Sequence, residues 1–180
     1  KRILQPNLES EIKKSLKEKA DIDSIGVFAE NLKQLLLQSP LGAKNILAID
    51  PGFRSGCKVA VLNRNGDFTE NTSIFPHPPQ NKLEEAKQIL LNIVKKNKIE
   101  AIAIGNGTAG LETEKLCREL FKGSAIKVFS VNEAGASIYS ASEIARDEFP
   151  DLDLTVRGAI SIGRRLIDPA SLTENTLIAE

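Results

Sequence analysis

The sequence predicts a mixed α/β fold: an antiparallel three-strand meander continued by parallel strands, with flanking helices and a helical segment ahead of the sheet. Three observations carry this prediction. Ile46, Leu47, Ala48 and Ile49 form a short continuous apolar run, the pattern of a strand covered on both faces. Two further strand patterns follow closely, joined by glycine turns of the kind that connect antiparallel neighbours. Beyond them, apolar runs at 99–104 and 126–131 alternate with helical patterns, the order that builds parallel strands through crossovers.

Taken in order, residues 8–38 read as two helices. Leu8, Ile12 and Leu16 fall four apart in the first, while Ile25, Phe28, Ala29, Leu32, Leu35 and Leu36 stripe the second. Ser39, Pro40, Leu41 and Gly42 make a stop signal. The first strand then ends on Asp50, which puts a carboxylate at the rim of the sheet. Pro51 and Gly52 form the turn, Gly56 permits a close backbone approach, and Cys57, Val59 and Val61 alternate with Lys58, Ala60 and Leu62 in a second strand. Asn65-Gly66 is a hairpin signal leading to a third strand at 68–75. The 76–81 segment, PHPPQN, breaks the sheet; His77, the only histidine, reads there as a surface turn residue.

The remaining chain alternates. A helix at 83–97 buries Leu83, Ala86, Leu90, Ile93 and Val94. The 99–104 strand ends in Gly105, Asn106, Gly107 and Thr108, a turn able to offer backbone N–H groups and the next helix's positive end to a phosphate. GNGT is neither a Walker loop nor a GxGxxG fingerprint, so a tight turn without a ligand is the competing reading. A helix at 111–121 buries Leu116, Cys117, Leu120 and Phe121. The 126–131 strand closes on Asn132, Glu133, Ala134 and Gly135. A helix at 137–149 turns Ile138, Ala141 and Ala145 inward and stops at Pro150. The last helix, 155–167, buries Val156, Ala159, Ile160, Gly163, Leu166 and Ile167, leaving Arg157, Arg164 and Arg165 on its other faces.

Lysine plus arginine equals aspartate plus glutamate at 24 each in 180 residues, so the overall charge of a strong nucleic-acid binder is absent and any such contact must be local. Cys57 and Cys117 show no CxxC spacing and read as small buried hydrophobes in a reducing compartment, which predicts a cytoplasmic protein. No apolar run has the length of a membrane span, and no secretory signal pattern leads the chain. Starting at Lys1 and lacking methionine, the chain reads as an excerpt of a longer protein.

Ligands of open α/β sheets gather at the carboxyl ends of the parallel strands, where Asp50, the GNGT turn and Glu133 are expected to converge. A carboxylate there suits a metal or phosphate site. The alternatives are that Asp50 bonds its own turn, and that Glu133 caps a helix or pairs with an arginine. The motifs AIDPGFRSGCKVAV, IFPHPP, AIAIGNGTAGLETE, VNEAGASIYSASEIARDEFPDLD and VRGAISIGRRLIDP resemble the RuvC and YqgF branch of the RNase H-like fold, and within it the Tex family of bacterial transcription accessory proteins. KRILQPNLESEIKKSLKEKAD and VFAENLKQLLLQSPLG are similar to the helical region before that domain. The expected organisation is a helical segment at 1–44, a YqgF/RNase H-like domain at 45–169 and a divergent tail at 170–180, where the family continues toward helix-hairpin-helix and OB-fold domains.

The resemblance implies a nucleic-acid-associated module acting in transcription, with RNA or DNA and the transcription machinery as partners. It also implies site residues. Asp50 matches the first acid of the RuvC and YqgF pattern, and Glu133 an acid after a later strand. Two-metal hydrolysis needs several carboxylates around cations about 4 Å apart. Active members start their last helix with an Asp where this chain has Gly158, and Gly105 and Asn106 stand where RuvC carries a Glu. Asp151 and Asp153 precede that helix and Asp168 lies about three turns beyond. The expected function is therefore binding or scaffolding with no cofactor required. The alternative is a metal-dependent nuclease or resolvase using Asp50, Glu133 and an unconventional third acid with Mg²⁺ or Mn²⁺. Arg157, Arg164 and Arg165, with Arg146 and the Gly105, Asn106, Gly107, Thr108 turn, are the candidates for phosphate contact; solvated surface or domain-interface pairing is the default for the arginines. DPGFRSG also superficially resembles the DxGxT phosphate loop of actin-like ATPases and sugar kinases, but that fold needs two lobes and a second phosphate motif.

Overall fold

A computed structural model describes residues 4–37 and 40–169, so the divergent tail expected at 170–180 lies outside the described residues. The chain divides into two units, Lys1–Gln38 and Ser39–Glu180. In the first, helix α1 (Leu4–Leu36) is continuous, where the sequence suggested two helices. Asp21, Asp23, Ser24 and Gly26 are weak helix formers, yet the helix is carried across them. Lys17 pairs with Asp21 one turn ahead at 3.4 Å, and the Ser24 hydroxyl donates back to the Ala20 carbonyl at 2.7 Å. A single helix has nothing in its own unit against which to bury Leu8, Ile12, Leu16, Ile25 and Phe28. The side chains of Leu32, Leu35 and Leu36 lie outside the described residues.

The second unit contains β1 (Ile46–Asp50), β2 (Cys57–Leu62), β3 (Phe68–Ile74), α2 (Leu83–Lys96), β4 (Ala101–Gly105), α3 (Gly110–Leu120), β5 (Lys127–Val131), α4 (Ala136–Ala141), α5 (Glu143–Glu148) and α6 (Leu154–Ile167). The sheet order is β3-β2-β1-β4-β5; β1, β2 and β3 pair antiparallel, while β4 and β5 run parallel to β1. This is the expected RNase H-like arrangement, a meander extended by two crossovers.

Strand parity explains the layers. Leu47, Ile49, Val59, Ile102 and Ile104 point to the face covered by α2 and α3, where Ala86, Leu90, Cys117 and Phe121 join them. Ile46, Ala60, Leu62, Ala101 and Ala103 point to the opposite face, against Val156, Ala159, Ile160 and Ile162 of α6. Because both faces are covered, β1, β2 and β4 read as nearly continuous apolar runs. Close contact of α6 with the sheet rests on Gly163, where a Cβ would lie 2.5 Å from Leu62 Cδ1 and 2.8 Å from Ala48 Cβ. Gly163→Ala is accordingly expected to lower stability by about 1–3 kcal/mol through overpacking, measurable as a lower urea midpoint. An unchanged midpoint would show that the helix retreats freely.

Two sequence expectations are corrected here. The 137–149 helix is two short helices, α4 and α5, because Ser142 is extended (ψ 160°) and caps α5, its Oγ accepting from the Ala145 N–H at 3.2 Å. That break also resets the buried face: Ile138 is 64% exposed, and Tyr139 and Ser140 are buried in its place. In α6, Arg157 and Arg165 are buried, not outward-facing, because the helix is covered by the sheet on one side and by α4 on another.

Candidate functional site

Asp50 ends β1 on the same face as Ile46 and Ala48, so the strand aims its carboxylate at α6. α6 meets it with a glycine: a Cβ on Gly158 would lie 3.0 Å from Asp50 Oδ2. Glu133 reaches the same place from the loop after β5. Together with Ser137, Ser140, Thr155 and Gly158 the two acids line a cavity of about 110 Å³. The convergence of Asp50 and Glu133 follows from topology, since β1, β4 and β5 are parallel neighbours whose carboxyl ends share one edge.

Burial raises the Asp50 carboxyl to about 6, the charge of Glu133 pushes it the same way, and Lys58 opposes both. Among the described residues neither alternative reading of the acids is realised as a bond. Asp50 makes no hydrogen bond to its own turn, and the Glu133 carboxylate neither caps α4, whose cap is Gly135, nor forms an ion pair with an arginine. Instead that carboxylate lies over the GNGT turn. A Cβ on Gly105 would stand 2.5 Å from Glu133 Oε2, and one on Gly107 would collide with Oε1. The two loops are laced: the Asn106 N–H donates to the Val131 carbonyl at 3.0 Å, and Asn106 Oδ1 accepts from the Glu133 N–H at 3.2 Å. The group resting on the glycine turn is thus the chain's own carboxylate.

The three arginines do not gather at this cavity as a set. Arg157 donates from Nε to the Phe149 carbonyl at 3.1 Å and from its two Nη atoms to the carbonyls of Ser140 and Pro150. Arg164 forms a forked pair with Glu148 and donates to the Tyr139 hydroxyl and the Gly66 carbonyl, tying α6 to α5 and to the β2–β3 turn. Arg165 donates from Nη1 to the Asn132 carbonyl, next to Glu133, while its buried Nε and Nη2 make no hydrogen bond. Burial lowers Arg165 to about 10, against the pull of Glu133. Arg146 lies on α5 and bonds the Ser142 carbonyl at 3.3 Å. Of the nearby acids, Asp153 is occupied as the cap of α6, accepting from both the N–H and the hydroxyl of Thr155 at 2.8 Å. Among the described residues no three His, Cys, Asp or Glu side chains form a metal-ligating group. Two carboxylates and a glycine do not fit a two-metal pair.

His77 is tied inward more than a surface turn residue would be. Its Nε2 lies 2.8 Å from Thr113 Oγ1, and since that hydroxyl already donates to the Ala109 carbonyl, the histidine is the donor. Cys57 Sγ sits 3.6 Å from the same oxygen; both cysteines are free and buried, and burial raises both thiols.

Sequence reasoning passed over Lys58. It faces Asp50 directly across the β1–β2 pair, and its Nζ donates to the Ser55 carbonyl at 3.1 Å and to Ser73 Oγ at 3.0 Å. Aligning the two strands about the 51–56 turn was the available signal.

Comparison with known proteins adds four findings. A family model described as Tex protein YqgF-like domain matches residues 44–167. "Protein tex" of Bordetella pertussis is 49% identical over 164 residues, covering 89% of this chain and 21% of that protein. The human "S1 RNA-binding domain-containing protein 1" is 37% identical over 176 residues, 94% of this chain and 17% of that protein. The chain therefore spans about a fifth of the length of these curated relatives. Among solved structures, T. thermophilus RuvC in complex with a Holliday junction substrate superposes with a TM-score of 0.43 at 11% identity, over 72% of this chain and 94% of that one.

Proposed function

The chain belongs to the family of Tex protein YqgF-like domains, and on that footing we propose that it is the nucleic-acid-associated module of a transcription accessory protein, binding or scaffolding without cutting. One observation carries this reading: Asp50 and Glu133 face a common cavity, and the position from which α6 would supply a third acid is Gly158. Two-metal hydrolysis divides the charge of attacking and leaving oxygens between cations held by several carboxylates. With two acids, one of them raised to about 6, the site retains the outline of such a centre and too little negative charge to hold the pair. RNA is the favoured class of nucleic acid, on the name of the human relative. The transcription machinery is the proposed protein partner, on the names of the bacterial ones. Free buried cysteines suit a reducing compartment, and the cytoplasm is the proposed location; among the described residues no helix is long and apolar enough to cross a membrane.

The test is incubation with labelled single-stranded, duplex and branched DNA and RNA in Mg²⁺, Mn²⁺ or EDTA, alongside Asp50→Asn. The expected result is a shifted, uncut nucleic acid under every condition. Metal-dependent cleavage that disappears in the variant would replace this reading with a nuclease or resolvase built on Asp50 and Glu133.

A further inference from the structure

The turn between β1 and β2, residues 51–56, presents Phe53 and Arg54 to solvent at the edge of the sheet that carries the acids. Phe53 is 37% exposed and is the large exposed aromatic of its unit; His77 braces it edge-on, with ring centroids 5.7 Å apart at 70°. That histidine is itself anchored to Thr113 of α3, so the ring stands on a fixed support. Arg54 makes no side-chain bond among the described residues, and its carbonyl is held by the Gln80 amide at 3.1 Å. Lys58 spends two of its three ammonium protons on Ser55 and Ser73; its charge acts on Asp50 and Asp153, but among the described residues it closes no salt bridge, which leaves one donor for a ligand beside Asp50.

We propose that Phe53, Arg54 and Lys58 form a grip for a single-stranded nucleic acid, a base stacking on Phe53 while Arg54 and Lys58 contact the flanking phosphates. A single strand is specified because a base inside a duplex shows only its edges, whereas an unpaired base offers the face that an aromatic ring can cover. The combination of an exposed aromatic with cations beside it is what sequence-tolerant strand binding requires. It also places positive charge beside the site of a chain whose net charge is zero and whose Arg157 and Arg165 are turned inward. The inference rests on the nucleic-acid reading above and narrows it to a strand type and a loop.

The experiment is fluorescence anisotropy of labelled oligo(U) and oligo(dT) with the 180-residue chain across a salt series, with unlabelled duplex as competitor. Phe53→Ala is expected to weaken binding about fivefold to a hundredfold, and Phe53→Trp to restore it. Arg54→Gln and Lys58→Gln are each expected to reduce the slope of log affinity against log salt by about 0.7, the signature of one lost phosphate contact on a single strand. Circular dichroism on each variant separates these losses from unfolding. Binding by the wild-type chain that is indifferent to all three substitutions, or that duplex competes away as well as single strand does, would overturn the grip and leave the broader reading standing. Failure of the wild-type chain to bind any nucleic acid would overturn both.

Discussion

Asp50→Asn is expected to stabilise the folded chain at pH 7, by about 3 kcal/mol, although it alters the residue at the centre of the site. The carboxyl titrates near 6 in the fold against 3.8 in an unperturbed chain. Below the lower value both states are protonated and nothing is lost. As pH rises from there to about 6, the unfolded chain ionises first, so the folded state loses ground; above 6 the loss is constant. Asparagine keeps the shape and has no charge to desolvate. Urea unfolding of wild type and variant at pH 7 and pH 4 checks this: the variant's advantage should be present at pH 7 and close to absent at pH 4. Equal or lower stability of the variant at pH 7 would mean that Asp50 is held by favourable bonds as an anion.

Gly158→Asp is expected to do the reverse, and to make the protein answer to metal. The new Cβ would stand 3.0 Å from Asp50 Oδ2, so a third carboxylate enters a cavity already shared by two. Like charges at this range cost on the order of 2 kcal/mol, and the variant should melt below wild type in EDTA. Mn²⁺ should recover the loss by binding the folded state alone, an effect absent or much smaller in wild type. Thermal melts of both proteins in EDTA and in Mn²⁺ test the point. If Mn²⁺ shifts both equally, Gly158 is not what limits cation binding.

Much of this arrangement was legible because it rests on short-range rules. The run from Ile46 to Ile49 is apolar because both faces of β1 are covered, and Asp50 marks where that cover ends. Parallel neighbours then bring Glu133 to Asp50 without any local signal of contact. What escaped reading depends on third parties. Arg157 and Arg165 have the sequence appearance of a basic helix face, and only the placement of α4 against α6 makes them interior. The break at Ser142 turns on one serine preferring to cap rather than continue a helix, a choice between nearly equal local states. Likewise α1 continues through residues that look like an interruption because the side chains one turn apart bridge it.

The seating of Glu133 on Gly105 and Gly107 reaches past this single chain. Any side chain at 107 would occupy the volume of the glutamate's carboxyl group, and at 105 the clearance is nearly as small. In a chain of this fold, a β-carbon gained on the turn would require the carboxylate opposite to swing away or be shortened, and giving up the acid would free the space over both glycines.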